Sequence, residues 1–182
     1  MGGLLLSKAK WVLDPSHTLV EFSVKHMMIA TVKGRFSGIE GILYANLPDF
    51  TTAEVEASVD SATVDTHEAQ RDQHLKSADF FDVEKFPKLT FKSKRIERNG
   101  DDYRMIGDLT IHGLTREAAF DVTFEGTGKD PWGNERAGFS ATGKVDRKDF
   151  GLQWNAMLET GGVLVGDQVK ISVEAEAIKQ AE

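Results

Sequence analysis

The chain has 182 residues, 40% of them hydrophobic and 28% charged, which describes one folded domain able to bury about two thirds of its unfolded surface. Its net charge of -7, from 22 basic and 29 acidic residues with no basic block, argues against nucleic acid or an anionic membrane surface as an expected partner. The absence of cysteine excludes disulfides, thiolate metal sites and cysteine nucleophiles.

The first residues, "MGGLLLSKAKW", hold three leucines with no positive charge before them, no apolar core of signal-peptide length and no small-residue cleavage site. A cytoplasmic location is therefore expected. Leu6 stands where an N-myristoylation signal would need Ser or Thr, and no apolar run is long enough to cross a bilayer.

From residue 19 onward the dominant signal is period-two alternation, which buries one set of side chains and leaves the other in water. Val20, Phe22 and Val24 alternate with Glu21, Ser23 and Lys25, and Val55, Ala57 and Val59 with Glu54, Glu56, Ser58 and Asp60. Leu89 and Phe91, then Phe120, Val122 and Phe124, then Val169, Ile171, Val173 and Ala175 repeat the pattern. Sheets of this kind are antiparallel and wet on one face only. Asn99-Gly100 and the "HGLT" beginning at His112 read as tight turns, and "GTGKDPWGNE" from Gly126 as a longer loop. About eight strands result, and an all-β, up-and-down antiparallel barrel is the simplest closure, because it removes exposed edges. A two-sheet sandwich is the alternative. A single domain over residues 1–182 is expected, with a helical insertion at about 66–86.

That insertion contains "RDQHLKSADFFDVEKFP". Asp65 and Thr66 read as N-cap residues, and "HEAQRDQHLKSA" holds no Gly, Pro or β-branched residue, so a helix is expected from His67. At about 100° per residue, His67, Arg71, His74 and Ala78 share a face with Leu75 at its flank. Burying that face obliges Arg71 and His74 to find partners. His67 and His74 lie about two turns, or roughly 10 Å, apart, too far to bind one metal. Arg71, Asp72 and His74 are acid-base candidates by type, but adjacent Arg71 and Asp72 point about 100° apart and no nucleophile elbow stands near. A structural polar network of Arg71, Asp72 and His74, with no metal and no catalytic residue, is the expected reading.

The inward positions also include many small residues: Gly34, Gly38, Ala57, Gly107, Ala118, Ala137, Ala141, Gly143, Ala175 and Ala177. An eight-stranded barrel has room either for packed side chains or for one small ligand. An interior this sparse leans toward a ligand, while a tapering packed core remains the alternative.

Five stretches together carry a resemblance: "WVLDPSHTLVEFSVKHM", "GRFSGIEG", "RDQHLKSADFFDVEKFPKLTFKS", "GDLTIHGLTREAAFDVTFEG" and "DRKDFGLQW", in that order over nearly the whole chain. They resemble the YceI-like family. The resemblance implies an extended lipocalin-like antiparallel barrel with a helical segment, enclosing an apolar channel for a polyisoprenoid or similar amphiphile, and no catalytic activity. It places the family's RDxHL signature on Arg71, Asp72, His74 and Leu75, followed by Asp79, Phe80 and Phe81. The residues then expected to line the channel are Val20, Phe22, Val24, Phe36, Leu75, Phe80, Phe81, Phe91, Leu109, Phe120, Phe139, Ala141, Trp154 and Ile171. Many members of the family are periplasmic, unlike the cytoplasmic location expected here.

Burying about ten to fifteen methylene-sized carbons at about 0.8 kcal/mol each gives roughly 8 to 12 kcal/mol before ordering costs. Polyisoprenoids, quinones, fatty acids, fatty amides and prenyl phosphates all satisfy that arithmetic. A binder for storage, sequestration or transport leads. An enzyme acting on such a lipid and a ligand-free stress or interaction protein are the alternatives. The expected ligand is a hydrophobic small molecule, no cofactor is expected, and pairing as a homodimer is compatible with the charged outer strands.

Overall fold

The computed structural model describes residues 8–158 and 162–181, so the leucine run at residues 4 to 6 and the leader reading placed on it lie outside the described residues. Ten strands form, rather than about eight: β1 (Ala9–Leu13), β2 (Leu19–His26), β3 (Ala30–Phe36), β4 (Ile39–Asn46), β5 (Asp49–Asp60), β6 (Lys88–Asn99), β7 (Asp102–Ile111), β8 (Leu114–Lys129), β9 (Glu135–Asp146) and β10 (Val165–Lys179). Their order is β1-β4-β5-β6-β7-β8-β9-β10-β2-β3, and β1 also pairs with β10. Eight antiparallel strands therefore close a barrel through the β1–β10 pairing. The β2–β3 hairpin continues the wall beyond it.

The extra strands arise because two long strands are each broken once. β10 pairs with β1 through Ala177, Ile178 and Lys179 and with β2 over Val165 to Glu174. Between β1 and β2, Asp14 accepts from Ser16 N at 3.0 Å and caps a 3-10 turn, with Pro15 at its first position. The same Asp cap recurs at Asp60 and Asp146, each ending a strand in a 3-10 turn. On the second broken strand, β3 leaves the line of β4 at Ser37 and Gly38, whose amides donate to Thr63 Oγ1 at 3.2 Å each. Past that break β3 has β2 on one side only. Arg35 and Asp65 exchange backbone hydrogen bonds of 2.9 Å, so the segment between β5 and β6 covers the edge that β3 would otherwise expose.

The expected helix begins later than the sequence suggests. Helix α1 runs Ala69–Lys76, and its N-cap is Glu68, whose side chain accepts from Arg71 N. Asp65 instead accepts from His67 N at 2.8 Å, and His67 takes a positive φ of 63°. His67 thus precedes the helix and sits 3.2 Å from an Arg35 guanidinium nitrogen, away from the face assigned to it. The two turns behave as read. Gly100 adopts φ 65° between β6 and β7, and His112 and Gly113 adopt 56° and 74° between β7 and β8. The long loop from Gly126 is shorter than expected, because β8 continues to Lys129 through a bulge between Phe124 and Gly126.

Candidate functional site

Inside the barrel two apolar cavities lie one above the other, of 240 and 190 Å³. The upper one is walled by β2, β3, helix α1, the Phe80–Phe81 pair and the segment from Arg147 to Val165. The lower one lies mainly within the closed strands, with Val20 and Phe36 of the hairpin at its upper end. Val20, Phe36, Leu89 and Ile171 line both and form a waist between them. Phe36, almost fully buried, packs on Phe22 at 5.5 Å and meets Phe81 edge-on at 5.6 Å. At the far end Phe50 and Phe139, 5.1 Å apart, close the lower cavity against Tyr103 and Phe124.

The strand parity read from the sequence is carried through to these walls. Phe22, Val24, Leu75, Phe80, Phe81 and Trp154 line the upper cavity, Phe91, Leu109, Phe120, Phe139 and Ala141 the lower, and Val20, Phe36 and Ile171 both. The inward small residues differ in what surrounds them. Ala57, Ala141 and Ala175 do line empty space in the lower cavity. Gly34, Gly107 and Gly143 do not, because aromatic rings occupy the room they leave. A Cβ on Gly107 would stand 2.6 Å from Phe91 Cζ, one on Gly143 2.8 Å from Phe120 Cδ1, and one on Gly34 would overlap the Cζ edge of the Phe22 ring. Ala137 and Ala177 are packed core, and Gly38 faces Asp60 and Thr63 rather than the interior.

Four polar residues at the upper cavity, Thr66, Arg71, His74 and Arg147, are hydrogen-bonded to the chain itself. Thr66 is a hub: its N–H and Oγ1 donate to Asp72 Oδ1 at 2.8 and 2.6 Å, while Arg71 Nε donates to its Oγ1 at 2.7 Å and Nη2 to its carbonyl at 2.8 Å. Asp72 therefore ties the helix to the preceding turn and does not line the cavity; Arg71 and His74 do. His74 Nε2 is 2.8 Å from Asp79 Oδ2, and its ring meets Phe80 and Trp154 edge-on at 5.0 and 4.6 Å. Two separate sets of bonds are involved: Thr66, Arg71 and Asp72 tie the helix to the turn before it, and His74 with Asp79 ties its far end to the Phe80–Phe81 segment.

Sequence reasoning missed Arg147, which reads as one more surface cation in "DRKDFGLQW". It is 3% exposed, and burial lowers its guanidinium pKa. Its three nitrogens donate to backbone carbonyls: Nε to Gly166 at 2.8 Å, Nη1 to Leu152 and Trp154 at 2.6 and 2.9 Å, and Nη2 to Val165 at 3.3 Å. These bonds hold the segment carrying Trp154 against the start of β10. Gly151, at φ 74°, marks a turn four residues on but does not single out Arg147 from its neighbours. Thr66 was likewise misread, as a helix cap.

Two larger hollows, of 630 and 550 Å³, lie on the outside of β7 to β10 and around Arg136 and are lined largely by charged and polar side chains of both signs. In the second, Arg136 donates to Asp130 and Asp14 at 2.8 and 2.9 Å. The guanidinium holds the Asp130 carboxyl down to about 2 and Asp14 well below the usual carboxylate range. This clasp joins the β8–β9 loop to the break between β1 and β2.

Fold and interior together define a closed antiparallel barrel, extended by a hairpin and enclosing an apolar two-part cavity. A model of the YceI-like domain matches residues 11–177, and the chain belongs to that family. A UPF0312 protein of Staphylococcus aureus strain N315 is 38% identical over 167 residues, covering 91% of this chain and 95% of the relative. Among solved structures, the Campylobacter jejuni YceI protein superposes with a TM-score of 0.74 at 29% identity, over 86% of this chain and 90% of that one. Burkholderia cenocepacia BcnA has a TM-score of 0.78 at 21% identity, over 90% and 98%. A polyisoprenoid-binding domain from Saccharophagus degradans has 0.69 at 13%, over 95% and 99%, a likeness of fold alone.

Proposed function

We propose that the chain binds a long-chain amphiphile of the polyisoprenoid, quinone or fatty-acid kind inside the barrel, for storage, sequestration or transport. The observation that carries this reading is the pair of apolar cavities in line, sharing a waist of Val20, Phe36, Leu89 and Ile171. Each alone is below the usual ligand-pocket range of about 300 to 1,000 Å³, so one chain threaded past the waist uses both. The polyisoprenoid-binding domain of similar fold supports the same reading. Affinity comes from hydrocarbon burial, with Arg71, His74 and Arg147 committed to holding the walls. The protein acts as a binder and not as an enzyme: Arg71, His74 and Arg147 at the cavity fix backbone and side chains.

Trp154 lines the upper cavity and reports occupancy directly. In a Trp11→Phe/Trp132→Phe variant stripped of lipid, a polyprenyl alcohol and palmitic acid are titrated while Trp154 emission is followed. Saturable quenching or a blue shift at about one equivalent is expected. No change with either probe would overturn the reading.

A further inference from the structure

We propose that the tip of the β2–β3 hairpin, Met27-Met28-Ile29, is a contact surface for a lipid bilayer containing anionic phospholipid, placed at the mouth of the upper cavity. This rests on the binding reading for its purpose, since a lipid ligand has to enter from and return to a lipid phase.

Three successive large apolar side chains are exposed at this turn, by 42%, 63% and 83%. Met27 and Met28 also both take positive φ, 55° and 64°, a conformation that favours Asn and Gly and strains a bulky side chain. Strain of this sort, held at a turn where Asn-Gly would relieve it, points to a function for the methionines themselves. The tip adjoins the cavity. His26, the last residue of β2, lines it, and Met27 N donates to the carbonyl of Leu164, another lining residue, at 2.8 Å. Beside the tip a short arm carries Met157, 80% exposed and bridged to Val163. The apolar surface is therefore continuous with the apolar interior.

Charge selects the partner. Although the chain carries -7 overall, no acidic residue occurs between Glu21 and Glu40, while Lys25, Lys33 and Arg35 do. Lys25 and Lys33 are exposed on the outer face of the hairpin, where Lys25 and Ser23 pair with Thr31 and Lys33. The segment 151–166 has one charged residue, Glu159, which lies outside the described residues. A hairpin with an apolar tip and basic flanks matches an anionic bilayer, in which the side chains enter the interface and each Lys adds electrostatic attraction. The expectation drawn from net charge, that no anionic membrane surface is a partner, concerns the chain as a whole, whereas the proposal concerns the local charge of this hairpin.

The test is flotation of the purified protein with vesicles of phosphatidylcholine alone and of phosphatidylcholine with phosphatidylglycerol. Wild type is expected to float with the anionic vesicles, and Met28→Asp/Ile29→Asp to lose at least about tenfold in vesicle affinity. Lys25→Glu/Lys33→Glu is expected to lose the preference for phosphatidylglycerol. The variant Met27→Asn/Met28→Gly relieves the turn, so its Tm is expected to rise while its vesicle affinity falls; this outcome separates a contact role from a folding role. Ligand content, measured by extraction, is expected to be unchanged in the two tip variants, so loss of vesicle binding is read apart from loss of ligand binding. Wild type that floats with neither vesicle, or tip variants that float as well as wild type, would overturn the proposal. So would a wild-type dimer in sedimentation velocity that Met28→Asp/Ile29→Asp turns into a monomer without vesicle binding by either form, which would make the tip a self-association surface.

Discussion

Phe22 and Gly34 stand directly opposite each other on β2 and β3, and the phenyl ring lies in the space that a side chain at 34 would fill. The position also meets Thr66 Cγ2, 2.9 Å from where a Cβ would be, so this one glycine lets the hairpin, the aromatic wall and the Thr66 hub approach together. Gly34→Val is expected to cost about 1 to 3 kcal/mol, with the Phe22 ring displaced into the upper cavity. The denaturation midpoint and the amount of extractable lipid should fall together; an unchanged midpoint would show that the ring moves away freely.

How much of this was legible in the sequence follows from range. Parity within a strand is local, so Val20, Phe22 and Val24 or Phe120 and Val122 could be assigned inward from their own neighbours, and they do line or back the interior. The turns at Asn99-Gly100 and His112-Gly113 were equally local. Whether an inward glycine leaves a void depends on the partner strand, and the rings of Phe22, Phe91 and Phe120 cannot be placed without register. Arg147 is the clearest case. Its acceptors at Val165 and Gly166 lie 18 and 19 residues away, and nothing adjacent distinguishes it from the exposed Lys148. The late start of the helix has a similar cause, because Asp65 and Thr66, good caps by type, are drawn off by Arg35 and Asp72.

Arg147→Met is expected to lower stability by about 3 kcal/mol or more, since it removes the guanidinium donor from the carbonyls of Leu152, Trp154 and Gly166 and leaves that of Val165 with Asn155 alone. Amide exchange should rise over residues 150 to 158 before it rises in the strands. Uniform exchange, or a stability within about 0.5 kcal/mol of wild type, would show that the loop does not depend on this guanidinium.

The Arg136 clasp predicts a particular acid response. Asp130 titrates at about 2 in the folded protein, against 3.8 for an ordinary Asp, and Asp14 lower still. A depressed carboxylate contributes stability that is present above its unfolded pKa and lost as pH falls through the folded value. In Arg136→Met the largest cause is gone and Asp14, Asp130 and Glu176 repel one another. Wild type should therefore exceed the variant in Tm at about pH 6, and the difference should shrink between about pH 4 and pH 2. A difference independent of pH would remove the ion pairs from the explanation.

Ala141 lines the lower cavity between Phe139 and Gly143 on β9. In a packed core Ala141→Phe would cost about 1 to 3 kcal/mol or more. In a ligand channel the ring takes space otherwise held by lipid carbons. The expected variant is folded, close to wild type in denaturation midpoint, and carries a shorter amphiphile or none. Severe destabilisation would mean that the lower cavity is closed to ligands.

The central claim, that the two cavities hold one hydrocarbon chain, is tested most directly by native mass spectrometry of the purified protein before and after organic extraction, with the extract identified. The account predicts a mass excess of one amphiphile per chain, removed by extraction and restored by added prenyl or acyl lipid. A single mass equal to the polypeptide across several preparations, with no uptake of either lipid, would contradict it.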